Sequence, residues 1–136
     1  MSAWHEKYLG RPWKAAPDPP HSYNCGELLR AVHRDLGIET LPIAADASDL
    51  RQCVEGMKGG RYGLEPVGTD RQPKEYDSVF MARAAFLDHC GIAVQTVEGL
   101  MVLHCLQGGG VVLDSLADLR GRGFNRFFWH RHKELD

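Results

Sequence analysis

From Leu64 onward the sequence changes its hydrophobic period, and that change constrains the fold more than any other feature. Before it, apolar residues recur at helical spacing. Leu28, Leu29, Val32 and Leu36 lie on one side, with Arg30, Arg34 and Asp35 on the other. Gly37 is a credible stop for that helix. A second helix is expected over residues 48–58, with Leu50, Cys53, Val54 and Met57 apolar and Gly59-Gly60 closing it. After Leu64 the apolar runs are short and strand-like: 64–67, 78–82, 89–95, 100–106, 111–113 and 124–129, with a helical turn at 115–119. Helices first and an antiparallel meander afterwards specify an α+β domain.

The rest of the first third is punctuation. Residues 4–9 read as a short helix ended by Gly10 and Pro12. Four prolines, Pro12, Pro17, Pro19 and Pro20, make residues 11–21 an extended, stiff loop. At 136 residues the chain supports one domain with a real core.

Composition removes several function classes. A net charge of −2 gives no general electrostatic reason to bind nucleic acid or an anionic membrane. The basic, aromatic stretch from Arg126 to Lys133 reads as a final strand with a solvated end. No apolar run approaches the roughly 18 residues that cross a bilayer. The N-terminus lacks the charged-then-apolar layout of a signal peptide, so synthesis and folding are expected in a cytoplasm. There Cys25, Cys53, Cys90 and Cys105 are expected to stay reduced. None forms a Cys-x-x-Cys pair, which leaves a structural zinc site little support.

Cys25 is the residue with chemistry written around it. Asn24 as N-cap and Glu27 three residues later make a capping-box pattern, which sets Cys25 at the first helical position. A thiol there lies in the positive end of the helix dipole, which favours the thiolate. A lone cysteine is more often a small buried apolar residue. Two later histidines, His89 and His104, supply what a nucleophile needs: a base, and a polar group to orient it. They sit in consecutive strands joined around Thr96-Val97-Glu98-Gly99. An even-length turn puts both on one face and Cys90 with Cys105 on the other; an odd one would separate the histidines. His5, His21, His33, His130 and His132 read as surface residues. Gly108-Gly109-Gly110 reads as a turn rather than a phosphate loop.

In order and separation these segments resemble the NlpC family of papain-like cell-wall cysteine endopeptidases. The resemblance rests on Gly10-Arg11-Pro12-Trp13, on Asn24-Cys25 at a helix start, and on Tyr76-Asp77-Ser78-Val79-Phe80 opening a strand. It rests also on His89-Cys90-Gly91-Ile92-Ala93-Val94 and on Val102-Leu103-His104-Cys105 ahead of Gly108-Gly109-Gly110-Val111. A helical insertion over residues 41–67 and the closing Gly123-Phe124-Asn125-Arg126-Phe127-Phe128 are similar to the branch encoded by tailed phages and prophages.

The resemblance implies a papain-like fold with N-terminal helices packed on a central antiparallel sheet of five or six strands. It implies Cys25 as nucleophile, His89 as base and His104 as orienting residue, with Trp13, Asn24 and Gly26 beside the substrate. It further implies a cofactor-free, monomeric hydrolase of peptidoglycan stem peptides, cutting between D-glutamate and a diamino acid, with phage tail proteins as partners. The sequence departs from the family at Trp13, Asn24 and Gly26, where tyrosine, aspartate and serine are usual. Those positions bear on substrate preference more than on thiol chemistry. Two other readings stay open: a structural tail component without catalysis, and a metal module using Cys25, His89 and His104.

Overall fold

The sheet is built from strands that follow one another closely, which is why it is antiparallel throughout. The computed structural model describes residues 3–43, 63–68, 70–84 and 86–135. Six strands are defined: β1 (Leu64–Pro66), β2 (Ser78–Arg83), β3 (Phe86–Thr96), β4 (Gly99–Leu106), β5 (Gly110–Asp114) and β6 (Arg126–His132). They lie in the order β1-β6-β2-β3-β4-β5. The final strand therefore returns to the interior of the sheet, between β1 and β2.

Among the described residues two α-helices accompany the sheet: α1 (Cys25–Asp35) before it and α2 (Leu116–Gly121) after β5. The architecture is α+β with a six-stranded antiparallel sheet. The expectation of several N-terminal helices fits only loosely. Residues Trp4–Lys7 form a single 3-10 turn, and the helix expected over 48–58 lies outside the described residues. Among the described residues no helix is long and apolar enough to cross a membrane.

Strand alternation sorts the core into two layers. On one face α1 contributes Leu28, Leu29 and Val32, which pack with Phe80, Cys90, Ile92, Val94, Leu103 and Cys105. Each fully buried aliphatic side chain there contributes about 1.5–3 kcal/mol. On the other face Val79, Met81 and Val102 pack with Leu119 of α2 and with Phe124. The first layer is the larger, and it holds the start of α1 against β3 and β4.

Three histidines expected at the surface are buried. His33 is wholly inaccessible, and His130 and His132 retain 9% and 2% exposure. The last two sit on β6, which has a neighbour on each side, so the end of the chain's basic stretch is interior rather than solvated. Arg131 there donates to both carboxylate oxygens of buried Asp77, at 2.7 and 2.8 Å. This pair ties the opening of β2 to β6.

Candidate active site

The start of α1 is organised by its cap. The Asn24 side-chain oxygen accepts from the Glu27 N–H at 2.8 Å, and the Asn24 carbonyl accepts from Leu28. Cys25 is thereby the first helical residue. Among the described residues no hydrogen bond engages the N–H groups of Cys25 and Gly26. Two donors at the positive end of the helix thus stand beside the thiol.

The two histidines come from the β3–β4 hairpin. Thr96 pairs with Gly99 across a two-residue turn, and Gly91 stands opposite His104. His89, two residues from Gly91, therefore shares a face with His104. Gly91 is small because it must be: a Cβ there would lie 2.6 Å from Val102 Cγ1 and 2.9 Å from the Leu103 carbonyl. The imidazoles meet at 2.8 Å, His89 Nε2 to His104 Nδ1. His89 also stacks on Phe124, with centroids 5.1 Å apart and planes 14° from parallel.

A bulge lies immediately before His89 on β3. Met81 pairs with His89, but the next residue, Ala82, pairs with Leu87. Asp88 is the extra residue, and strict alternation fails immediately before His89. Leu87 accordingly packs in the layer of α1 instead of following His89. Bulges of this kind re-aim side chains beside functional sites.

Cys25 meets β3 at that point. Its sulfur lies in the surroundings of Cys90 and His89. Hydrogen bonding by Cys90, and then by His89, holds the Cys25 thiol well below its ordinary pKa, against the upward push of burial. Cys105, by contrast, is pushed up to about 12 by burial and by the neighbouring Cys25 charge. Its thiol donates to the Tyr23 carbonyl at 3.3 Å. Cys25, Cys90 and Cys105 form no disulfide. One sulfur in this cluster is tuned toward thiolate and another toward thiol.

His104 is inaccessible to solvent, and burial and the adjacent His89 lower it to about 4. It is therefore neutral near pH 7. Its Nε2 lies 2.7 Å from Asp114 Oδ2, at the end of β5. Arg122, capping the end of α2, reaches back to the same carboxylate with Nε at 2.6 Å. Asp114 was not apparent from sequence. Its signal was positional: on β5 it shares a face with Val112, which pairs with His104.

The structure thus gathers Cys25, His89 and His104 into one contiguous group. The other three sequence candidates surround the helix start in different ways. Trp13 is half-buried, bridges to Tyr23 and packs against the α1 layer. Asn24 is inaccessible, with its oxygen engaged by the cap and its Nδ2 without a partner. Gly26 is buried in the first turn. A cavity of about 270 Å³ lies further along the helix, lined by Lys7, Tyr8, Arg11, Tyr23, Arg34 and Asp35, and touches none of the three. Among the described residues no group of three or more metal-ligating side chains is arranged to hold an ion. The facing histidine nitrogens are engaged with each other and, on His104, with Asp114.

A scan against protein-family models and a search of curated proteins each returned no match.

Proposed function

We propose that the chain is a cysteine hydrolase of the NlpC type, with a papain-like fold, acting on the peptide stem of peptidoglycan. The observation that carries this reading is a cysteine at a capped helix start near His89, which is itself held by His104 at 2.8 Å. The substrate, a D-glutamyl–diamino acid bond, comes from the sequence resemblance.

In the proposed reaction the Cys25 proton passes to His89, and the resulting thiolate attacks the carbonyl carbon. With Nε2 of His89 engaged by His104, Nδ1 is the nitrogen available to do this. The new C–S bond pushes the carbonyl electrons onto oxygen, where the Cys25 N–H donates to them. Collapse restores the carbonyl and breaks the C–N bond, and His89 gives its proton to the leaving amine. Water then attacks the thioester, losing a proton to His89, and frees the acid and the thiol. His104 holds the ring and its tautomer, as the third member does in other triads.

The test is incubation with defined muropeptides followed by mass spectrometry. Wild-type protein should release two fragments and Cys25→Ala none. Uncleaved muropeptides with wild-type protein would remove the hydrolase reading.

One observation favours the alternative of a structural tail component. Cys25 and His89 are each only 6% exposed, which leaves a substrate carbonyl a narrow approach. A Cys25→Ala phage that assembles and infects normally would support that alternative.

A further inference from the structure

We propose that Asp114, clamped by Arg122, is a positioning residue that fixes the protons on both histidines and so aims the basic nitrogen of His89 at Cys25. The proposal rests on the reading of Cys25 as nucleophile and His89 as its base, and it adds two residues to that group.

Asp114 keeps a side-chain exposure of only 9%. Burial alone would raise its pKa, but hydrogen bonds from Arg122 and His104 outweigh that and hold it below the usual carboxylate value. It is therefore ionised near pH 7, and an ionised carboxylate only accepts. At 2.7 Å, His104 Nε2 must then be the nitrogen carrying a hydrogen. A neutral imidazole has one N–H, so His104 Nδ1 is left as an acceptor. Facing it at 2.8 Å, His89 Nε2 must donate. That leaves His89 Nδ1 as the position from which a proton is taken or given at the sulfur. One carboxylate thus sets three successive proton positions across two strands.

The local fold is built to hold that carboxylate. Asp114 ends β5, and Ser115 caps α2 with a reciprocal capping box to Asp118. The short helix carries the chain through less than two turns and returns Arg122 onto Asp114. Nε donates to Oδ2 at 2.6 Å, and Nη2 lies 3.4 Å from Oδ1. Oδ2 accepts from both His104 and Arg122, so the guanidinium fixes the orientation the histidine needs. Arg122 is 42% exposed, and the line from thiol to guanidinium ends at the surface.

The experiment is nitrogen-15 NMR of histidine-labelled protein, which reads the protonated nitrogen of each ring, alongside Cys25 alkylation and muropeptide kinetics. Wild type should show His104 with hydrogen on Nε2 alone and His89 with hydrogen on Nε2. Asp114→Asn should populate the other tautomer of His104 and lower kcat about tenfold to a hundredfold, the ordinary worth of a hydrogen bond to a charged group, with KM little changed. Arg122→Gln, at a half-exposed position, should fold and shift the same His104 signal to a lesser degree. Should Asp114→Asn fail to fold, the Arg122→Gln spectrum decides. Unchanged His104 and His89 tautomers in the folded variants would overturn the proposal. Failure of the hydrolase reading is distinguishable: wild type would leave muropeptides intact while its histidine tautomers still answered to Asp114.

Discussion

Acid should destabilise this protein, and the size of the effect follows from two buried imidazoles. His33 and His104 are both inaccessible to solvent, and burial, their largest cause, lowers each from 6.5 to about 4. A histidine whose pKa is depressed in the folded state contributes stability that is intact above its unfolded value. That stability is lost as pH falls toward the folded value. The window here is therefore from 6.5 down to about 4. Each unit of pH within it costs about 1.4 kcal/mol per group. At about pH 5 each histidine has lost about 2 kcal/mol, and the two together about 4. Against a total stability of about 5–15 kcal/mol that is a large fraction. His130 and His132 are shifted downward as well, first by burial, and act with the same sign. Urea unfolding at about pH 7.5, 6 and 5 reads the loss directly. In His33→Leu one of the two titrations is gone, and the acid loss should fall by about half. The Thr40 hydroxyl, which bonds His33 Nδ1 at 2.9 Å, loses its partner in that variant. That cost of about 1 kcal/mol is independent of pH and leaves the slope clean. A stability that changes by less than about 1 kcal/mol between these pH values would refute the reasoning.

Two further substitutions test the scaffold. Asn24→Ala removes the side-chain cap of α1 and should cost about 1 kcal/mol in thermal or urea unfolding. It should also slow Cys25 alkylation at neutral pH, because the helix start that supports the thiolate is loosened. Asp77→Asn removes the buried carboxylate that accepts from Arg131 and should destabilise the chain by about 1.5–3 kcal/mol, read as a fall in urea midpoint at unchanged m-value.

What was legible in the sequence was local. The Asn24 cap fixed the first residue of α1, because capping depends on side chains within one turn. The two-residue turn made the common face of His89 and His104 a matter of strand parity. All six strands lie close to their expected positions. What was not legible depended on long-range neighbours. Burial of His130 and His132 follows from β6 lying between β1 and β2, a pairing no local pattern reveals. The bulge before His89 is a mismatch between two strands and leaves no period of its own in either. Asp114 becomes meaningful only when β5 is laid beside β4 and α2 returns Arg122 to it. A chemical partner that arrives through three elements carries no motif.

The central claim is that Cys25 is the activated thiol of this chain. Its most direct test is the pH dependence of alkylation of each cysteine in the folded protein, resolved by peptide mass spectrometry. Cys25 should react faster than Cys90 and Cys105, with a midpoint well below the ordinary thiol value, and slow sharply in His89→Ala. Equal rates at the three sites, or a Cys25 midpoint at the ordinary thiol value that His89→Ala leaves unmoved, would contradict the account.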